Sequence, residues 1–298
     1  MAHVRHRSPI ALAGTVLKYG LLTFGAFLML APFADMILGA LRTPAERLMQ
    51  PPAYWPRDPQ WINFQRVFTE LPMTRWMLNS IFQTVVITVL QLLTSALAGY
   101  ALAKFRFRGR DFLFQSILGA QMFPFFLFLI PVFFILRYFP LVGGNDILGM
   151  GGSGFLNTYW SIILPFSVTW YGIFLMRQFF IGLPDELIDA ARLDGAGEFR
   201  IFFVIALPLV LPGLATLGIF IFVYQWNEVI WTMTATRTAP DLQTIPVGIY
   251  LLRGAFIDQS SLSLQQAALA ISILPVMITF LFLQRYYVRG LTDGAVKG

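Results

Sequence analysis

The sequence contains no cysteine, which excludes disulfides, thiolate metal sites and a cysteine nucleophile. Its two histidines, His3 and His6, both lie in the basic N-terminal tail, where a solvated tail is the simpler reading than a metal site. Charge is scarce as well: charged residues make up 12% of the chain, against about 25% in a soluble domain. No Gly-Lys-Ser or Gly-Lys-Thr follows the glycine-rich stretch 143–154, so the chain has no phosphate loop for ATP and this stretch reads as a flexible loop. No connection gathers histidines or paired carboxylates into a catalytic constellation, which argues against a membrane enzyme. The net charge of +6 sits in short clusters between apolar runs instead of forming one stripe with interleaved aromatics, which argues against a nucleic-acid partner.

What the chain has in quantity is apolar surface. Hydrophobic residues make up 57%, with 30 phenylalanines, and the mean hydropathy is +0.69. Six runs are long enough to cross a bilayer: 17–38, 77–103, 112–138, 159–180, 201–225 and 265–284. Only a helix satisfies its own backbone within one such segment, so the expected fold is all-α, a polytopic membrane bundle of six transmembrane helices in a single domain over 1–298. The first run is too long for a signal-peptide core and reads as a retained span. Pro124, Pro131, Pro165, Pro208, Pro212 and Pro275 fall inside spans, where kinks are expected.

Lysine and arginine set the orientation. The set formed by Arg5, Arg7, Lys18, Lys104, Arg106, Arg108, Arg110, Arg177, Arg192, Arg200, Arg285, Arg289 and Lys297 is the larger and hugs the span ends. The positive-inside rule therefore puts both termini in the cytoplasm. Segments 39–76, 139–158 and 226–264 then face outward. The first is turn-rich with interfacial aromatics (Pro51, Pro52, Trp55, Trp61), and the third is long and polar.

The cytoplasmic connection 181–200 reads as a short helix. Pro184 suits a first helical position, Asp185 and Glu186 complement the positive end of the helix dipole, and Gly195 permits a left-handed ending. Leu187, Ala190 and Ala191 fall on one small apolar face, flanked by Glu186, Asp189 and Asp194. From the residues alone two readings stay open: a connector lying on lipid headgroups, or a docking surface for a protein groove. The acidic character disfavours the first, since interfacial helices carry basic polar faces.

Inside the spans, polar residues are costly and tend to face the bundle interior. Asn79, Gln83, Gln91, Gln121, Gln225, Asn227 and Glu228 are the candidates for a substrate path, and interhelical hydrogen bonding is the alternative for each. Asp35, at the outer end of its span, is expected to reach the interface. A secondary transporter or channel for a polar solute is the rival function. It would need coupling carboxylates or basic residues in mid-span, or an inverted repeat, and neither is clear.

The stretch Pro184-Asp-Glu-Leu-Ile-Asp-Ala-Ala-Arg-Leu-Asp-Gly-Ala196, followed by Ile205-Ala-Leu-Pro208, resembles the EAA loop of binding-protein-dependent ABC importer permeases. Asp189 stands where that family usually has Glu. Asn79-Ser80, Ala98-Gly99-Tyr100-Ala101, Phe107-Arg108-Gly109-Arg110, Gln225-Trp226-Asn227-Glu228 and the tail from Gly290 resemble the carbohydrate branch, the MalG-like permeases. The resemblance implies a type I ABC importer permease fold and a heterodimer with a second permease in the inner membrane. It also implies two ATPase subunits, which bind ATP and Mg so that this chain needs no cofactor, and an external solute-binding protein toward which 226–264 should reach. Pro184, Glu186, Leu187, Asp189, Ala190, Ala191, Asp194 and Gly195 would then form the contact with the ATPase.

Overall fold

The computed structural model describes residues 9–49, 53–255 and 259–295. His3, His6, Arg5, Arg7, Pro51, Pro52, Lys297 and positions 256–258 of the third outward segment lie outside the described residues. The helices are α1 (Pro9–Leu41), α2 (Pro44–Leu48), α3 (Ile62–Thr69), α4 (Met73–Lys104), α5 (Arg110–Ala120), α6 (Leu129–Arg137), α7 (Tyr159–Ile163), α8 (Trp170–Ile181), α9 (Asp185–Leu193), α10 (Glu198–Arg200), α11 (Leu207–Leu209), α12 (Leu211–Trp226), α13 (Ile230–Ala235), α14 (Ile245–Ala255) and α15 (Gln259–Ala295). Short 3-10 turns occupy Phe125–Phe128, Leu164–Phe166 and Pro240–Leu242, and a π-helical stretch occupies Ile201–Ala206.

Among the described residues, three helical stretches are individually long and apolar enough to cross a membrane: Gly14–Leu41, Met73–Lys104 and Leu262–Phe282. The third, fourth and fifth predicted runs are not continuous helices. Each is a bent pair, turning by 95° between Arg110–Ala120 and Phe125–Arg137, by 44° between Tyr159–Phe166 and Trp170–Ile181, and by 79° between Glu198–Leu209 and Leu211–Trp226. Hydropathy alone could not separate a straight crossing from a broken one, but the prolines mark all three breaks. Pro124 is extended, with ψ near 140°, and Pro165 sits in the turn before the extended Thr169. Pro208 offers no N–H to the carbonyl of Val204, and the chain there widens to π geometry before breaking at Val210. Pro131 and Pro275, by contrast, lie inside helices.

Two compact units are present, one containing the described residues up to Leu71 with those of Leu252–Ile271, the other Pro72–Leu251 with the described residues from Ser272 onward. In the first unit the end of α1 is tied down by side chains. Asn63 Nδ2 donates to the Ala40 carbonyl at 2.8 Å, and Arg47 Nε donates to Ser263 Oγ at 2.9 Å. Thr43 and Glu46 form a reciprocal capping box on α2. Asp35 pairs with Arg42 at 2.9 Å, so a protein partner holds the carboxylate expected at the interface.

The second unit is organised around α4, whose 32 residues span about 48 Å at 1.5 Å per residue, well beyond a hydrocarbon core of about 30 Å. Small residues let α8 approach it closely. A Cβ on Gly99 would lie 2.8 Å from the Arg177 nitrogen and the Met176 Cβ, and one on Gly172 would meet Ser95.

Two segments expected to face outward differ from their sequence reading. The glycine-rich segment 139–158 is compact, not flexible: Asn145 Nδ2 donates to the Arg137 and Phe139 carbonyls at 2.9 and 3.0 Å, and Asp146 Oδ1 accepts from Leu148 N and Met150 N. Its glycines permit close backbone crossings, as where Gly154 abuts the Leu136 carbonyl at positive φ. The described part of 226–264 within this unit is not a free polar loop either. It folds into α13, a 3-10 turn and α14, burying Trp231, Ile245, Val247 and Ile249.

Candidate functional site: a docked connector helix and the polar face of α4

α9 begins at Asp185, with Pro184 at its N-cap, one position before the expected place. Its chain reverses through Gly195 at φ +77°, as predicted from its position after the last helical turn. The expectation that Leu187, Ala190 and Ala191 share one free face is corrected by packing. Ala191 is only 7% exposed and Ile188 only 2%, and both lie in a cluster with Tyr100, Phe180, Ile201 and Phe202. Tyr100 makes edge contacts to Phe105 and Phe180 there, with centroids 5.6 and 5.4 Å apart. The i, i+3 spacing of Ile188 and Ala191 is the signal that could have found this inner face. Leu187, Ala190 and Leu193 stay exposed beside Glu186, Asp189 and Asp194, with Leu193 at 89%.

Charge fixes the same helix from outside. Lys104 Nζ, at the end of α4, donates to Asp185 Oδ1 at 2.5 Å and to the Leu183 carbonyl at 2.6 Å. The hydrogen bond to Lys104 and its charge hold the Asp185 carboxyl below the usual carboxylate range. At the other end Arg192 bridges Glu198 at 2.7 Å and Asp189 at 3.0 Å, and the Glu198 hydrogen bond raises the guanidinium further. The result is a short helix clamped to α4 and α8 on one side and carrying an acidic, apolar-studded face on the other.

The polar candidates of α4 separate by what their atoms do. Asn79 Nδ2 donates to the Asp241 and Gln243 carbonyls, both at 2.8 Å, while its Oδ1 accepts from the Tyr159 hydroxyl at 2.7 Å. Ser80 Oγ accepts from Ile245 N at 2.9 Å, and Gln83 Nε2 donates to Thr232 Oγ1 at 3.2 Å. Gln91 Nε2 donates to the Phe166 carbonyl at 2.5 Å, and Thr94 Oγ1 to the Ser167 carbonyl at 3.0 Å. Both carbonyls lie at the break in the fourth span. The buried polar stripe therefore closes hydrogen bonds that the broken helices and the packed segment after α12 leave open, which is how lipid-embedded breaks are tolerated.

The segment Gln225-Trp226-Asn227-Glu228 divides in the same way. Trp226 Nε1 donates to the Ser272 carbonyl at 3.1 Å, and Asn227 Nδ2 donates to the Val223 carbonyl at 2.7 Å at the end of α12. Glu228 accepts from Trp231 N at 2.6 Å and Thr232 N at 2.9 Å, capping α13. Gln225 differs: it is 2% exposed, and neither amide atom has a hydrogen-bond partner. Gln121 is exposed, directly after α5 at the bend. Among the described residues, no group of three or more His, Asp or Glu could hold a metal ion.

Three long apolar helices, three bent apolar pairs and a clamped connector helix define a polytopic membrane protein. Residues 91–293 match the family described as "Binding-protein-dependent transport system inner membrane component". The chain belongs to this family and is a permease subunit of an ABC importer. It is 37% identical to the arabinooligosaccharides transport system permease protein AraQ of Halalkalibacterium halodurans, over 93% of this chain and 96% of that one. It is 31% identical to the sn-glycerol-3-phosphate transport system permease protein UgpE of Yersinia pestis, over 92% and 94%. Identity to the sulfoquinovosyl glycerol transport system permease protein SmoH of Agrobacterium fabrum is also 31%, over 90% and 89%. Its fold matches a chain in the crystal structure of a bacterial ABC transporter involved in the import of the acidic polysaccharide alginate, with TM-score 0.74 and 24% identity, over 94% and 99% of the two chains.

Proposed function

We propose that this permease passes a sugar or related polar solute across the inner membrane, with both termini cytoplasmic. A second permease completes the path, and an external binding protein delivers the solute. α9 is the docking element for a separate ATPase subunit, one of two, which binds the ATP and Mg. The observation that carries this reading is the two-sidedness of α9. Its inner face packs in one cluster with Tyr100 of α4, Phe180 of α8 and the π-helical stretch Ile201–Ala206, and Lys104 ties it to α4, so a push on the helix reaches the spans, as rigid-body coupling requires. Its outer face presents Leu187, Ala190 and Leu193 among acids, a surface that suits a protein cleft better than anionic headgroups.

The test is co-purification of the ATPase and saccharide uptake by vesicles for Leu193→Glu, which adds a charge to an exposed position without touching the fold. Loss of both, with normal membrane insertion, is the expected result. Wild-type association and uptake would remove α9 from the coupling. Orientation is tested by a single cysteine at Asp58, which should react with an impermeant reagent from the outer side only.

A further inference from the structure

The connection from α4 to α5 carries more cations than it pairs. Within 104–111, Lys104, Arg106, Arg108 and Arg110 stand against one acid, Asp111. Lys104 is taken by Asp185 at 2.5 Å, with its side chain only 5% exposed, and Arg110 Nε donates to Asp111 Oδ1 at 3.1 Å. Arg106 and Arg108 are exposed, and neither guanidinium has an ion pair or hydrogen bond among the described residues. Arg106 acts only through space, helping to depress the Asp185 carboxyl. Gly109 sits at φ +87°, and the reversal there gathers Arg106, Phe107, Arg110, Asp111 and Phe112 around an open recess of about 480 Å³. Phe107 and Phe112 are 45% and 77% exposed, so apolar rings border the unpaired cations.

We propose that this recess binds the headgroup of an anionic phospholipid. Arg106, on its wall, and Arg108, between the lining residues Phe107 and Gly109, hold the phosphodiester, while Phe107 and Phe112 rest against the upper carbons of the acyl chains. Guanidinium forks match phosphate oxygens bidentately, and these two are the cations that no carboxylate has taken. The position of the turn favours a partner from the membrane. Only the five residues 105–109 separate α4 from α5, a reach of at most about 18 Å even fully extended, so the turn stays where apolar helices meet water. Exposed Phe beside Arg at that level matches a lipid, whose apolar and anionic parts are joined covalently. Clusters of Lys and Arg at span ends attract anionic lipid for the same electrostatic reason. A zwitterionic headgroup carries its own ammonium beside the phosphate and leaves the surplus charge of the turn uncompensated. This partner is separate from the solute and from the ATPase contact proposed for α9.

The test is native mass spectrometry of the full-length permease in detergent, offered equimolar phosphatidylglycerol and phosphatidylethanolamine. Wild type should retain phosphatidylglycerol in preference. A cation near an anionic surface is worth about fivefold, so the pair Arg106→Gln and Arg108→Gln should lower that preference about tenfold or more. The pair Arg106→Lys and Arg108→Lys keeps the charge and should keep most of the preference. Arg57→Gln, at an exposed arginine of another segment, should leave it unchanged. Both substituted positions of the Gln pair are exposed, so it should melt like wild type, which separates lost lipid from lost fold. Equal retention of the two lipids by wild type, an undiminished preference in the Gln pair, or an equal drop in Arg57→Gln would each overturn the proposal. Loss of ATPase association by the Gln pair in lipid-free detergent would also overturn it, by assigning the arginines to a protein partner. Displacement of the bound lipid by equimolar glycerol phosphate would do the same, by assigning them to a free anion.

Discussion

Replacing Ala190 and Ala191 by tryptophan, one at a time, separates the two faces of α9. Ala191 is buried against Tyr100, Phe202 and Ile201 in the chain's own core, so a Trp there must displace packed rings. Overpacking typically costs about 1–3 kcal/mol, and a tenfold change in the folding equilibrium corresponds to about 1.4 kcal/mol. Ala191→Trp should therefore lower the melting temperature of the isolated permease in detergent, with no ATPase present. Ile188→Ala, at the neighbouring buried position, should act in the same direction by about 2–5 kcal/mol through the cavity it leaves. Ala190 is exposed, so Ala190→Trp should leave the melting temperature within about 0.5 kcal/mol of wild type and still abolish ATPase pull-down and uptake. If Ala190→Trp binds the ATPase normally and drives uptake, the outer face of α9 is not the docking surface. If Ala191→Trp melts like wild type, the inner-face packing described above is wrong.

Gln91→Leu leaves the Phe166 carbonyl at a span break without its donor and should destabilise the permease by about 1–3 kcal/mol, seen as a lower melting temperature in detergent. Gly99→Val forces a side chain into the Met176 and Arg177 backbone, and it should reduce folded yield far more than Gly119→Val, where a Cβ meets nothing within 4 Å. Because Lys104 depresses the Asp185 pKa, their contact adds stability above the unfolded aspartate value of about 3.9 and loses it as pH falls through the folded value. Acid titration of ATPase association should lose its lowest-pH step in Asp185→Asn, and an unchanged profile would refute that link.

The membrane class, the six apolar stretches and the connector helix were legible in the sequence because they rest on long-range averages and on punctuation by Pro184 and Gly195. What was not legible was where continuous hydropathy hides a broken helix. The runs 112–138, 159–180 and 201–225 look alike to a hydropathy window whether straight or bent by 44° to 95°. Only their prolines distinguish them, and Pro275 shows that a proline need not break a crossing. The polar positions could be named from the sequence, but their roles were not separable. Asn79, Gln225 and Glu228 are all polar residues in apolar context. Which of them already has its partners depends on Asp241, Trp231 and Thr232, residues whose proximity only the fold creates.

These features belong to one physical problem. A crossing that breaks frees backbone carbonyls where no water can reach them, so something in the same layer must supply donors. α4 does so through Gln91 and Thr94 at the break in the fourth span, and through Asn79 at the carbonyls of Asp241 and Gln243. The same helix ends in Lys104, which holds α9. On the docking proposed for α9, one route for its displacement runs through Lys104 to the element whose side chains hold the fourth-span break closed. Uncoupling α4 from α9 by Lys104→Met should leave those internal hydrogen bonds in place while ATP hydrolysis no longer drives uptake. Breaking Gln91 should instead loosen the span and leave the α9 contact whole. The two variants thus separate transmission from support along a single helix, and identical behaviour of both would mean that α4 does not carry the motion.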